Sequence, residues 1–382
     1  MGASRRLWVN AAIAATLLAC WGMLSVSFSA EQGDFAAFYT GAAIARDGDF
    51  HHLHDPARQI AIEKAIVPAR AGYTYFVRPD VYAALLAPLA LLPFRGAFAV
   101  WIALQMLILC ACCWWAARRF GPDALPLAAL FPLTVFSAAF GQDAVFWLGV
   151  LVVGWWLDER GRAFAGGLVF GLVLLKPHLA FLLPLAMMLQ RRWRVLAGFA
   201  LTAASEVLLS CALAGRTGVL TYIHFLRDRQ AYLSPHPERM LNTASILRNF
   251  GSHSAFAGAM LLVVAVVAAV LAMAAGPWWR ALAAAVIGAM VIAPHTIPYD
   301  AAWAILPAWL AYFSSRHVAV RAAALLFFTP VPWLLQLLDS PWTVAPALVV
   351  LVFLLAMAGE PVWRARPAAV ALAPQGTQAS ST

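Results

Sequence analysis

Val81-Tyr82-Ala83-Ala84-Leu85-Leu86-Ala87-Pro88-Leu89-Ala90-Leu91-Leu92-Pro93 is apolar from end to end. It holds only about 13 residues, roughly 20 Å as a helix, short of the roughly 30 Å of hydrocarbon in a bilayer. Its reading decides the fold. Counted as a membrane span, it would place Arg118 and Arg119 outside and invert every later connection. Taken as a helix lying in or dipping into the outer interface, it leaves twelve spans: residues 7–29, 96–117, 124–140, 142–157, 162–176, 177–190, 194–214, 255–275, 280–294, 298–313, 318–337 and 341–358. Both termini are then cytoplasmic. The inner connections hold Arg118 and Arg119, Arg160 and Arg162, Arg191-Arg192-Trp193-Arg194, Arg280, Arg316 and Arg321, and Arg364 and Arg366. Positive charge at every inner turn marks the cytoplasmic side.

Composition agrees with this threading. Hydrophobic residues make up 63% of the chain and charged ones 11%, with a mean hydropathy of +0.80, so no soluble domain of ordinary size is left over. The expectation is an all-α, polytopic protein of the bacterial inner or plasma membrane: one transmembrane domain over residues 1–366 and a disordered tail over 367–382. The net charge of +9 is spread in arginine pairs between apolar runs rather than gathered on one soluble face, which argues against a nucleic-acid partner. All five cysteines lie inside apolar runs, and the adjacent Cys112 and Cys113 lack ligand partners at usable spacing, so neither disulfide framework nor metal site is expected. Leu7 to Phe28 follows Arg5 and Arg6 as a signal peptide would. Its long apolar core, without a convincing small-x-small site before Glu31, favours a retained first span.

Two outer stretches, 31–95 and 215–254, exceed ordinary connector length, and loops of that size usually carry function. The first begins Gly33-Asp34-Phe35-Ala36-Ala37-Phe38-Tyr39, with the Asp34 carboxylate at the membrane surface. It continues as an amphipathic helix from about Phe35 to Arg46, a turn at Asp47-Gly48-Asp49, and a second helix from Pro56 to about Pro68. No internal repeat is visible, which disfavours a secondary transporter.

Spans 142–157, 162–176 and 177–190 are only about 14 to 16 residues, so their outer ends should sit below the bilayer surface. Those ends carry Gly141-Gln142-Asp143 and Lys176-Pro177-His178. Pro177 breaks the helix directly after Lys176, and broken backbone at membrane depth is tolerated where it lines a protein cavity. Lys176 alone could snorkel to the interface as an anchor. With Gln142, Asp143 and His178 at its level, a polar pocket is the better reading, and a cation recessed beside lipid is placed to hold the phosphate of a lipid-linked substrate.

Other polar groups fall on the same face. Tyr73-Thr74-Tyr75-Phe76-Val77-Arg78-Pro79-Asp80 closes the first outer loop, either as an aromatic belt with an ion pair or with Arg78 near that phosphate. Pro294-His295-Thr296-Ile297-Pro298-Tyr299-Asp300 is a proline-framed turn whose histidine, tyrosine and aspartate point to a site. Asn242 and Ser245, with Arg248, could hydrogen-bond a sugar or cap a helix. His51, His52 and His54 lack an acidic cage and read as a solvated loop. Glu206, costly within a span, is left as a structural hydrogen bonder.

Taken in order, these pieces resemble glycosyltransferase family 87, polyprenyl-phosphate-mannose-dependent enzymes of the GT-C superfamily. The carrying residues are Gly33-Asp34-Phe35 with Tyr39, Ala87-Pro88-Leu89-Ala90-Leu91-Leu92-Pro93, Gly141-Gln142, Gly161-Arg162 with Ala165-Gly166, Lys176-Pro177, Asn242 with Ser245, and Pro294-His295 with Tyr299-Asp300. The resemblance runs from about residue 10 to 360. It implies a GT-C-like fold, a donor sugar on a polyprenyl phosphate, transfer at the non-cytoplasmic face, and a catalytic aspartate that falls on Asp34. The family often has a second proline where this chain reads Arg78-Pro79-Asp80, so this turn departs from the pattern.

The expected chemistry is an inverting transfer, mannose favoured, to a glycan, lipid or protein acceptor. Asp34 accepts the acceptor proton. Lys176, Arg78 and His295 meet the donor phosphate, so that a divalent metal is not required, although the sequence leaves one open. Tyr39, Gln142, Asp143, His178, Asn242, Ser245, Tyr299 and Asp300 contact substrate. No cofactor is expected; membrane lipids are. The rival reading is a transporter or flippase of a lipid-linked sugar, which needs polar groups on both faces; a lipid-modifying ligase or phosphotransferase and a noncatalytic scaffold stand behind it.

Overall fold

Apolar runs interrupted by proline and glycine set the architecture. The computed structural model describes residues 3–25, 33–68, 72–228, 236–338 and 341–364. The tail 367–382, expected to be disordered, lies outside the described residues, as do Glu31 and Arg366. Among the described residues the chain is all-helical.

Five helices among the described residues are long and apolar enough to cross a membrane: Arg5–Ser25, Phe94–Phe120, Trp193–Arg227, Ala255–Ala274 and Trp342–Glu360. Shorter apolar helices accompany them, including Ala163–Leu175, Pro177–Leu189 and Trp278–Ile292. Together they make this a membrane protein. Phe94–Phe120 shows how the sequence bounds such a helix: Pro93 precedes it, Arg118 and Arg119 occupy its last turn, and Gly121 ends it at φ 99°. Helix occupies every stretch read as a span, but several are broken. Ala124–Leu130 and Leu133–Ala139 are divided at Phe131-Pro132, and Pro177–Ala180 is separated from Leu183–Leu189. Proline, having no N–H to donate, accounts for the first of these breaks.

Trp278–Ile292 is apolar on every side and sits at the centre, with twelve consecutive residues from Arg280 to Val291 buried. Ala255–Ala274, Ile305–Ser314, Ala345–Arg364 and Leu183–Leu189 pack around it. Glycines permit the closest crossing, between Ala163–Gly171 and Trp193–Arg227. A Cβ on Gly167 would lie 2.0 Å from the Val195 carbonyl oxygen, and one on Gly198 would lie 2.2 Å from that of Phe164.

The first outer stretch folds onto this bundle. Phe35–Arg46 forms with the expected bounds, but it is not an amphipathic interfacial helix: ten of its twelve residues are buried. Much of the helix is Ala, Gly and Thr, small enough to be covered by Asp80–Leu86 and Ala87–Leu91. Phe38 stacks on Trp101 at 5.2 Å between ring centroids, and Phe35 lies 5.5 Å from the same ring. Asp80–Leu91 buries Tyr82, Ala83, Leu86 and Ala90 while presenting Leu85 and Leu91 outward. The preceding segment, Tyr73 to Pro79, forms no helix and is pinned to Pro56–Ile66, where Gln59 donates to the Leu53 carbonyl at 2.7 Å and accepts from the Phe76 amide at 2.7 Å.

The second outer stretch opens as helix. Trp193–Arg227 kinks at Gly215 (φ 62°), His51 Nδ1 lying 2.6 Å from the Ala214 carbonyl oxygen at the bend. His52 pairs with Asp49 at 2.6 Å, and buried His54 stacks on Tyr222 at 4.1 Å.

The helices carry different chemistry at their two ends. At one, Arg119 pairs with Glu159 at 2.9 Å, Arg192 with Asp158, and Arg280 with Glu360 at 3.1 Å. The sixteen residues of Ala144–Glu159, roughly 24 Å of helix, separate this end from Asp143.

Candidate functional site

Two backbone segments press together to build the site. Asp34 precedes the helix Phe35–Arg46, and its amide donates to the Phe140 carbonyl at 2.7 Å. The approach requires glycine on both sides. A Cβ on Gly33 would lie 2.5 Å from the Phe140 oxygen, and one on Gly141 would lie 2.4 Å from Phe35 Cβ; Gly141 is also at φ 74°, a region L side chains rarely adopt. Gly33-Asp34 and Gly141-Gln142 are therefore two halves of one contact. Gln142 Nε2 donates to Asp34 Oδ2 and, at 3.2 Å, to the Tyr299 hydroxyl, while that hydroxyl donates to the same Asp34 oxygen at 2.7 Å. The other oxygen, Oδ1, has Thr74 Oγ1 at 3.5 Å.

One residue further along two of these segments, a second cluster begins. Asp143 accepts from Arg78 at 2.9 and 3.1 Å and from Lys176 Nζ at 3.2 Å, and Lys176 also pairs with Asp300. Tyr82 donates to Asp143 at 3.4 Å. Arg78, Asp143, Lys176 and Asp300 are all buried, with Asp143 at 0% exposure and Lys176 at 2%. Two cations and two carboxylates make the quartet formally neutral. Buried charges of this kind persist only when paired.

Local sequence explains each placement. Pro177 disfavours helical geometry at the residue before it, and Lys176 accordingly leaves the helix at φ −127°, ψ 67°. Pro298 starts the tight turn Pro298–Ala304, and Asp300 Oδ2 accepts from the Ile297 amide at 3.1 Å, fixing the carboxylate that faces Lys176. Gln142 and Asp143 sit at the beginning of Ala144–Glu159, and Tyr299 and Asp300 are adjacent in the turn. Each pair sends one side chain to Asp34 and the next to Lys176.

His178 and His295 are half-buried neighbours, their rings edge to face at 6.3 Å. Asn242 caps Thr243–Asn249, accepting from the Ser245 amide at 3.0 Å, and its Nδ2 donates to the Pro294 carbonyl at 2.8 Å, so it holds the loop that carries His295. Ser245 Oγ lies 2.5 Å from the Met240 carbonyl and 2.9 Å from that of Asn242. Tyr39 points away from Asp34 and donates to the Leu92 carbonyl at 2.8 Å. Thr74 and Tyr82 join the site without having been singled out. Thr74 lies in the aromatic stretch already noted; no signal in the sequence marks Tyr82. Among the described residues no group of three or more His, Cys, Asp or Glu side chains is arranged to hold a metal.

A half-buried carboxylate with organised donors, backed by paired cations, suits proton removal from a hydroxyl beside an anionic leaving group. A groove of about 630 Å³ lined by Gly161, Arg162, Trp193 and Arg194 lies at the arginine-rich end and includes none of these residues. No curated protein and no solved structure matches the chain. The profile of glycosyltransferase family 87 matches residues 76–298, which takes in Arg78, Gln142, Asp143, Lys176, His178, Asn242, Ser245 and His295 and stops one residue before Tyr299. That match spans more than half of the 382 residues, and the chain belongs to glycosyltransferase family 87.

Proposed function

We propose that this glycosyltransferase moves a sugar, mannose in the favoured case, from a polyprenyl-phosphate donor to a hydroxyl of a glycan, lipid or protein acceptor at the extracytoplasmic face. The reading keeps twelve spans in a GT-C-like arrangement with both termini cytoplasmic. One observation carries it. Asp34 is the site's half-buried carboxylate, held by Gln142 and Tyr299 beside the buried cations Arg78 and Lys176.

The step is an inverting displacement. The acceptor O–H bond breaks and its proton passes to Asp34; the oxygen bonds to the anomeric carbon; the carbon–oxygen bond to phosphate breaks, its electron pair leaving on the polyprenyl phosphate. His295 and His178, half-exposed at the edge of the site, meet the phosphate first. Arg78 and Lys176 act behind them. Because their quartet is formally neutral, it contributes oriented dipoles rather than surplus positive charge. In this scheme protein groups stabilise the leaving group, and no cofactor is assigned. Asn242 and Ser245 support the His295 loop, and Tyr39 supports the first outer helix.

The test uses purified protein, polyprenyl-phosphate mannose labelled in the sugar, and a membrane lipid extract as acceptor source. The expected result is a new labelled product, with Asp34→Asn lowering its rate by about a thousandfold or more while inserting and melting like wild type. Near-native transfer by Asp34→Asn would remove Asp34 from the base role. Sugar-phosphate translocation without a glycosylated product would favour a carrier instead.

A further inference from the structure

The two oxygens of the Asp34 carboxylate are not equivalent. Oδ2 receives two side-chain hydrogen bonds, from Gln142 Nε2 and from the Tyr299 hydroxyl at 2.7 Å. These donors also lie 3.2 Å from each other, so Gln142 Nε2, the Tyr299 hydroxyl and Oδ2 form a closed triangle of polar contacts. Among the described residues, Oδ1 has Thr74 Oγ1 at 3.5 Å, the outer limit of a hydrogen bond. An oxygen already accepting two bonds is a poor proton acceptor. Its partner is the better one.

We propose that Oδ1 is the oxygen that takes the acceptor proton, and that Gln142 and Tyr299 are positioning residues that act through Asp34 rather than by holding sugar or phosphate. The inference rests on the assignment of Asp34 as base. The acceptor hydroxyl approaches along the Tyr73-Thr74-Tyr75 side, in the place where Thr74 now reaches Oδ1. Its proton goes to Oδ1, its oxygen bonds to the anomeric carbon, and the donor's phosphate departs with the electron pair of the broken bond. Gln142 and Tyr299 keep the carboxylate from rotating Oδ2 into that path. Their own placement is fixed from behind, because the adjacent Asp143 and Asp300 are locked to Lys176. The same lock couples the base to the buried quartet through the adjacent residue pairs Gln142-Asp143 and Tyr299-Asp300.

The deciding experiment is a double-mutant cycle with the full-length protein and labelled polyprenyl-phosphate mannose. Tyr299→Phe and Gln142→Asn, made separately, should each lower kcat about 10- to 100-fold with donor KM unchanged within about twofold. Placed on Asp34→Asn, the same substitutions should alter the residual rate by less than about twofold, since the group they position is already disabled. Losses that multiply on the Asp34→Asn background would overturn the proposal and return both residues to direct substrate contact or to simple structural support. A rise in donor KM at constant kcat would do the same. Should Tyr299→Phe misfold, Gln142→Asn carries the cycle alone. Failure of the base assignment reads differently, as near-native turnover by Asp34→Asn itself.

Discussion

Asp143 is where the two buried cations of the site meet, accepting from Arg78 at 2.9 Å and from Lys176 at 3.2 Å. The short span after it placed Asp143 near Lys176, and the structure brings the two to 3.2 Å. What spacing could not supply was the stoichiometry: Arg78 shares Asp143, and Lys176 takes Asp300 as well. Pairing between residues 65 and 124 positions apart depends on how helices pack, which no local pattern encodes. The consequence is testable. Lys176→Ala leaves Asp143 with Arg78 and takes from buried Asp300 its ion-pair partner, and removing one member of a buried pair typically costs about 3–5 kcal/mol. Melting of the detergent-solubilised protein should fall accordingly, before any substrate is added. A Lys176→Ala protein as stable as wild type would show that the quartet does not hold the bundle, and would return Lys176 to the role of a phosphate-binding cation freed for substrate.

At the scale of elements, hydropathy and breakers were legible, and packing was not. Pro93 and Gly121 bound Phe94–Phe120 within a few residues of the expected span, and Pro177 ends the helical run where it was read to do so. Phe35–Arg46 was found in place but misjudged in environment, because its alanine and glycine positions are ones a neighbouring element can cover. The glycines at the crossing of Ala163–Gly171 and Trp193–Arg227 make the same point. Gly167 and Gly198 have no turn to make, yet an added Cβ would meet backbone at 2.0 and 2.2 Å. Backbone cannot swing aside like a side chain, so the helices themselves must separate. Gly198→Ala should lower stability by about 1–3 kcal/mol. Gly258→Ala, whose Cβ would find only Leu247 Cδ1 at 3.6 Å, should be tolerated or slightly stabilising. Equal melting of the two variants would argue that the crossing is not tightly packed.

At the scale of the whole molecule, the division between ends is the feature the sequence displays most directly, because paired arginines between apolar runs are visible without knowing how the helices pack. Asp34, Lys176 and Asp300 gather at one end; Arg119, Arg192 and Arg280, each with a carboxylate partner, gather at the other. The helix Ala144–Glu159 joins the two, with Asp143 at its start and Asp158 near its finish. The proposed reaction and the charge pattern together predict one orientation, with the arginine end cytoplasmic and the Asp34 end outside. Exposed positions exist at each end to check this: His52 and Arg248 on the Asp34 side, Arg160 and Arg194 on the other. In a protein whose five cysteines are replaced by alanine, His52→Cys and Arg248→Cys should react with a membrane-impermeant maleimide in intact spheroplasts. Arg160→Cys and Arg194→Cys should react only after lysis. Labelling of His52→Cys, Arg160→Cys and Arg194→Cys before lysis, with Arg248→Cys reacting only after it, would require the stretch at 81–93 to be counted as a span, whereas the full reverse pattern would put Asp34 and its sugar donor on the cytoplasmic side.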